Sequence, residues 1–304
     1  MIIVNYIELL LSKIEAKNPK HAIKLRNNLI DLRDEYFTLG NSFFKKYENY
    51  LHSINLTLDY SVKCYLKMLE DMIGERIKFI QNGTYSNTSF NEVEKMVYAN
   101  PEVMTYHMHG LVLGQFLWFD QYERIKFFIE NLQKYFQNSQ KYLEIGGGHG
   151  LYINEATKLL QTTIQFDLID ISGSSLSLAK GILNTNRINY FHKNIFDFKN
   201  DDVYDFVTAG EVLEHMEEPI KLLIKIRDLL AETGVCYLTS PINSPMIDHI
   251  YLFNNEQEIR ELIAKTGFEI LQEKIVISEK IPPKIAYKYK VPVIYSAFIK
   301  KMKR

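Results

Sequence analysis

The sequence predicts an α/β fold: a mostly parallel sheet with an antiparallel hairpin at its C-terminal edge, preceded by an all-helical module. Two observations carry this. Before residue 140 the apolar residues recur only at helical spacing, whereas from Lys141 short β-branched and aromatic runs alternate with helix-like stretches. The glycines divide at the same place, with Gly40, Gly74, Gly83, Gly110 and Gly114 scattered through the first part and Gly146, Gly147, Gly148 and Gly150 packed together after it. The expected units are residues 1–136 and 137–304.

The elements follow in order. Leu25, Leu29, Leu32, Tyr36 and Leu39 form one amphipathic helical stripe, with Gly40 expected as its left-handed C-cap. Leu58, Val62, Tyr65, Leu69 and Met72 repeat the spacing, and Asn82-Gly83 closes that helix. Ser89 and Glu92 have capping-box spacing, and Asn100-Pro101 supplies an N-cap and an N1 proline for a helix running toward Trp118. Strands are expected at KYLEI, IQFDLID, INYFHKN, YDFVTAG and GVCYLTS, with helices over residues 151–160 and 220–230 between them. This alternation implies βαβ units and a buried parallel sheet. A helix is expected to start near Asn254-Asn255-Glu256, and FEILQEKIVIS and VPVIYSAFIKK then flank Pro282-Pro283 as an antiparallel hairpin with no helix between them.

The 304 residues, 46% hydrophobic with a net charge of −1, support one large core or two modest ones and exclude a disordered or fibrous chain. A pI near 6.7 gives no global attraction to polyanions. The region from Ile281 onward is locally basic (Lys284, Lys288, Lys290, Lys300, Lys301, Lys303, Arg304) and is read as a solvated edge and tail, so nucleic acid is not an expected partner. Cys64 and Cys236 stand far apart as buried thiols would in a reducing cytosol. The apolar start MIIVNYIELLL has no basic flank and carries Glu8, so it is read as neither signal nor membrane span, and the expected location is cytoplasmic.

The loop Glu144-Ile145-Gly146-Gly147-Gly148-His149-Gly150 joins the first strand to a helix N-terminus, which offers unpaired N–H groups to an anion or polar ligand. Its spacing does not fit Gly-x-Gly-x-x-Gly, because Leu151 takes the last position, and no Gly-Lys-Ser/Thr follows. Glu-x-Gly-x-Gly-x-Gly fits completely, and here the chain resembles the class I S-adenosylmethionine-dependent methyltransferases over roughly residues 137–304. The resemblance implies a Rossmann-like, seven-stranded sheet and S-adenosylmethionine as cofactor. It assigns Glu144, Gly146, Gly148 and Gly150 to the cofactor loop and Asp170 to the ribose hydroxyls. Ile171 would lie on the adenine face, Asn194 and Ile195 at the adenine edge, and Glu211 at the end of the fourth strand. Asn194 replaces the family's usual acid, and its side-chain oxygen can still accept from the adenine amino group. His149 is expected as a solvent-facing loop residue.

Glu211, Glu214 and His215 form Glu-x-x-Glu-His, which on a helix would bring three ligand atoms together. The motif is similar to that of the ubiquinone-biosynthesis O-methyltransferases and the small-RNA 3′-end methyltransferases, and it implies Mg²⁺ or Mn²⁺, with His249 as a further ligand. Beside this stands a metal-free reading in which His215 or His249 is the general base. Such a base would also serve a nitrogen or carbon acceptor.

In the helical module the segment YHMHGLVLGQFLWFDQYERIKFF is dense in aromatics. Its stripe reads as core, or as an acceptor lid in which Tyr106, Trp118 and Tyr122 wall the pocket. A homodimer through the same helices is equally compatible. His107 and His109, two apart, point to different sides of a helix and make a poor metal pair. The sequence thus predicts methyl transfer to a small-molecule acceptor, most simply at a hydroxyl oxygen.

Overall fold

The computed structural model describes residues 4–136, 140–199 and 203–303. Arg304 of the basic tail and residues 137–139, where the expected boundary falls, lie outside the described residues. The helical part comprises α1 (Tyr6–Glu15), α2 (Pro19–Leu29), α3 (Asp34–Ser53), α4 (Leu58–Asn82), α5 (Phe90–Val93), a π-helical turn (Glu94–Tyr98), α6 (Pro101–Leu117) and α7 (Phe119–Tyr135). The alternating part runs β1 (Lys141–Ile145), α8 (Leu151–Leu159), β2 (Gln165–Asp170), α9 (Gly173–Leu183), β3 (Ile188–His192), β4 (Tyr204–Gly210), α10 (Pro219–Leu229), β5 (Leu230–Ile242), α11 (Glu256–Lys265), β6 (Phe268–Ile277), α12 (Pro283–Lys288) and β7 (Val293–Lys301).

The sheet has seven strands in the order β3-β2-β1-β4-β5-β7-β6. Pairing is parallel from β3 to β5, and β7 runs antiparallel to both β5 and β6. The chain leaves β1 toward β2 and returns to β4 on the other side, so the strand order reverses between β1 and β4. A crevice opens at the carboxyl ends of strands at such a switch point.

Local chemistry accounts for most element ends. Asn100 accepts from the N–H groups of Glu102 and Val103, and Gly83 caps α4 at φ 76°. The stripe from Leu25 to Leu39, however, spans two helices. The chain breaks at residues 30–33, and Gly40 lies inside α3, where a Cβ would stand 2.7 Å from Ile7 Cδ1. This glycine serves the close packing of α1 on α3 and is not a cap. The Ser89 capping box also fails: its side chain caps nothing, and the Phe90 N–H donates to Glu217 Oε1 at 2.7 Å. Between the last two strands the short helix α12 replaces the simple hairpin loop, because Pro283 at N1 presets the helical φ.

Helices and sheet share one core. From α7, Phe128 packs against Tyr237 of β5 at 5.1 Å between ring centroids, and Phe127 meets Phe298 of β7 edge-on at 5.4 Å. The strands β1, β4 and β5 are buried on both faces, as a parallel sheet covered by helices requires. Cys64 and Cys236 are buried and free. Among the described residues no helix is long and apolar enough to cross a membrane.

Candidate active site

A cavity of about 850 Å³ lies at the switch point, walled by the loops after β1, β2, β3, β4 and β5 and by α4, α6 and α7 of the helical part. The glycine loop forms one side. Gly146, Gly148 and Gly150 all adopt left-handed φ, at 66°, 52° and 72°. At Gly146 a side chain would also meet Val212 Cγ2 at 2.7 Å, so both conformation and space require glycine.

Asp170, at the end of β2, accepts from the Gly148 N–H (3.1 Å) and the Ser172 N–H (2.8 Å), one bond to each oxygen. Each oxygen keeps a lone pair, and the residue lines the cavity with Ile171, Asn194 and Ile195. Asn194 Oδ1 is already used, capping the turn that follows by accepting from the Phe196 N–H at 3.0 Å. Glu144 of β1 is buried, its Oε2 has no hydrogen-bond partner among the described residues, and burial pushes its pKa up to about 8. His149 is half-buried and turned inward. It lines the cavity, sits edge-on to Phe43 at 5.9 Å, and burial holds it neutral with a pKa near 3.

Sequence reasoning passed over Arg124 of α7. This guanidinium is buried at the cavity wall, donates from Nη2 to Gln115 Oε1 at 3.1 Å and lies 3.2 Å from Glu211 Oε1. Nη1 is the atom that faces Glu211, and Nε has no hydrogen-bond partner among the described residues. Arg124 precedes Phe128 by four residues on the apolar face of its helix, and that placement was a legible sign of burial.

The end of β4 departs from the expected helix. Glu211 takes a left-handed φ of 56°, and residues Leu213–His215 form a 3-10 turn. Glu211 therefore turns away, accepting from Thr239 Oγ1 at 3.0 Å and pairing with Arg124. It is not part of the group formed by Glu214, His215 and His249, whose ligand atoms lie within 4.8 Å of one another. Glu214 is fully buried; its Oε2 accepts from Ser240 at 3.1 Å, while Oε1 has no partner. Facing that oxygen are His215 Nε2 at 3.7 Å and His249 Nε2 at 4.0 Å.

Both histidine tautomers follow from their other nitrogens. His215 Nδ1 lies 2.9 Å from the Asp248 carbonyl and His249 Nδ1 lies 2.6 Å from the Ser244 carbonyl. A carbonyl can only accept, so each Nδ1 carries the proton and each Nε2 presents a lone pair. Burial pushes Glu214 up to about 8 and His249 down to about 3. Burial opposes charge on His215 as well, but Asp248 and Glu214 outweigh it and raise its pKa.

Of the three expected wall residues, Trp118 lines the cavity and donates to Tyr65 at 2.9 Å. Tyr106 and Tyr122 do not line it. The Tyr106 hydroxyl is committed to Asp71 on α4, and Tyr122 is buried edge-on against Tyr36. Met72, Met104, Met108, Met216 and Met246 line it instead, giving adaptable apolar walls.

A sequence family described as a methyltransferase domain matches residues 118–273, more than half of the chain. The chain belongs to that family. The methyltransferase match begins at Trp118 and so takes in α7, the helix that carries Arg124. The methyltransferase is 26% identical over 178 residues to the ubiquinone biosynthesis O-methyltransferase of Rickettsia canadensis, covering 51% of this chain and 74% of that protein. It is 30% identical over 143 residues to the ribosomal protein L11 methyltransferase of Dictyoglomus thermophilum, 46% of each chain. Among solved structures it shares the fold of mitomycin 7-O-methyltransferase, with a TM-score of 0.53 and 11% identity over 80% of this chain and 70% of that one. S-adenosylmethionine is the donor in this enzyme class, and the residues present fit it. Asp170 suits a ribose diol, the unpartnered Glu144 Oε2 suits an ammonium, and the unpartnered Arg124 Nε suits a carboxylate.

Proposed function

We propose that this methyltransferase methylates a hydroxyl oxygen on a small, largely apolar or aromatic molecule, with a divalent cation at Glu214, His215 and His249. The observation that carries the reading is the buried, unpartnered Glu214 Oε1 faced by two imidazole lone pairs at 3.7 and 4.0 Å. Those separations are too long for hydrogen bonds and slightly wider than the roughly 3–3.5 Å between neighbouring ligands of an ion held at about 2.1 Å. A Mg²⁺ or Mn²⁺ held there would supply a Lewis acid that lowers the pKa of an acceptor hydroxyl.

The chain's own contribution is positioning. A sulfonium donor brings its own leaving group: the carbon–sulfur bond breaks as the carbon–oxygen bond forms, and the acceptor gives up its proton. The protein must therefore hold donor and acceptor in line and keep water out. Asp170, Glu144 and Arg124 fix the donor at one end of the cavity, and the methionine-rich walls with Trp118 seat an apolar acceptor body. The His215 Nε2 lone pair would be occupied by an ion held with Glu214 and His249, so the acceptor proton would pass to water; without the ion that lone pair is free to receive it.

Calorimetric titration of Mn²⁺ into chelator-stripped protein saturated with S-adenosylhomocysteine tests the reading. One site is expected, and the His249→Ala variant should lose it. Absence of binding in the unmodified chain would discard the cation, leave His215 as base, and extend the acceptor search to amines and carbon acids.

A further inference from the structure

The acceptor end of the cavity is completed by two side chains from the helical part that no motif marks. Asp248, in the loop after β5, is buried, and its Oδ2 lies 3.7 Å from His215 Nδ1 and 3.6 Å from His107 Nε2. His107 comes from α6 and is itself 2% exposed, with Nδ1 lacking a hydrogen-bond partner among the described residues. Tyr98 ends the π-helical turn before α6; its hydroxyl lies 2.9 Å from His215 Nδ1, and its ring meets the imidazole edge-on at 6.2 Å. The π-helical turn is an irregularity of the kind that re-aims a side chain, and here the side chain it ends on is Tyr98.

The hydrogen-bond roles are constrained. His215 Nδ1–H donates to the Asp248 carbonyl, so the Tyr98 oxygen can only accept a share of that proton. The Tyr98 O–H is then free to turn toward the Asp248 carboxylate, the nearby anion that helps hold the phenol in its neutral form. His107 approaches the same carboxylate from the opposite module.

We propose that Tyr98 and His107 are positioning residues for methyl transfer. They hold Asp248 against His215, lock the imidazole in its Nδ1–H tautomer and keep its Nε2 lone pair turned toward Glu214 and the acceptor. The helical part therefore builds the reaction centre as well as covering it. This inference rests on the reading of His215 as ligand or base. Partners of this kind fix ring orientation and basicity, and their loss costs about 10–100-fold in metal affinity.

The test uses the full chain, chelator-stripped and saturated with S-adenosylhomocysteine, with ¹⁵N-labelled histidine. Long-range proton–nitrogen correlation spectra report which ring nitrogen is protonated, and the His215 signals are assigned by their absence in His215→Gln. The unmodified chain should show the Nδ1–H pattern. Tyr98→Phe and His107→Leu should show a mixture of tautomers. His107→Gln, which keeps a polar N–H beside Asp248, should restore the original pattern. An unchanged S-adenosylhomocysteine affinity in each variant confirms an intact fold. Mn²⁺ affinity should fall about 10–100-fold in Tyr98→Phe. An Nδ1–H pattern unaltered in both Tyr98→Phe and His107→Leu, or an Nε2–H pattern in the unmodified chain, would overturn the proposal. Failure of the unmodified chain to bind Mn²⁺ would overturn the cation reading alone, because the tautomer comparison still decides whether Tyr98 and His107 position His215.

Discussion

The two ends of the cavity are built from different materials. At the donor end, the chain supplies backbone N–H groups, three left-handed glycines and the carboxyls of Glu144 and Asp170, drawn from short stretches around Gly148, Asp170 and Asn194, with Arg124 of α7 the one side chain brought from the helical part. At the acceptor end it supplies side chains only: Tyr98 and His107 from the helices, Glu214 and His215 after β4, and Asp248 and His249 after β5. A ligand that is constant across an enzyme class can be held by a loop of fixed conformation. An acceptor that differs from enzyme to enzyme is met by side chains that only the tertiary structure brings together.

If the two ends are independent in this sense, each can be disabled alone. The largest effect is expected for Glu214→Gln. The amide keeps the shape and the Ser240 hydrogen bond but removes the ionisable carboxyl whose Oε1 faces both Nε2 atoms and whose proton a cation would displace. Mn²⁺ binding should disappear in calorimetry while the dissociation constant for S-adenosylhomocysteine stays within about twofold. Loss of both would show that the buried cluster also organises the donor loop.

Asp170→Ala is the mirror experiment, with a smaller effect. It should remove the two ribose contacts expected of Asp170, and it frees the Gly148 and Ser172 N–H groups that Asp170 now holds. Binding of S-adenosylhomocysteine should weaken by roughly 1.5–3 kcal/mol, about 10- to 150-fold. Mn²⁺ affinity should not move. An unchanged dissociation constant for S-adenosylhomocysteine would reject the assignment of Asp170.

The same contrast explains what the sequence reveals. Strand alternation, the loop from Glu144 to Gly150 and the acid at Asp170 are local patterns, and each is legible because its residues touch through neighbours in the chain. Glu214, His215 and His249 were also legible, since both segments follow strands of an open sheet. Glu211 was misplaced because helical spacing was assumed where the backbone is left-handed, a conformation no periodicity announces. The stripe from Leu25 to Leu39 misled for a related reason: two helices in register present the same periodicity as one. Tyr98, Arg124 and the Asp248 pairing of His107 depend on contacts across 100 residues or more, or on a lone polar residue amid aromatics. Composition and spacing carry no sign of which strand such a residue will meet.

Glu144 sharpens the comparison because it sits at the donor end yet, like Glu214, is buried with one carboxyl oxygen that has no partner among the described residues. Burial raises its pKa from 4.5 to about 8. Below pH 4.5 the carboxyl is protonated in the folded and unfolded chains alike. Between pH 4.5 and about 8 the unfolded chain has released the proton and the folded chain still holds it, so this residue's share of stability is lost as pH rises. The slope can reach about 1.4 kcal/mol per pH unit. In Glu144→Gln the group stays neutral throughout, and that share of the slope should vanish. Denaturant unfolding of the ligand-free chain and the variant at pH 5.5, 6.5 and 7.5 measures the difference, which should widen in the variant's favour at each step. Parallel stability curves would mean that Glu144 is already ionised in the folded enzyme, its charge met by solvent or by the backbone N–H groups of α8. The donor end would then carry a standing anion, and only the acceptor end would bury its acid in neutral form.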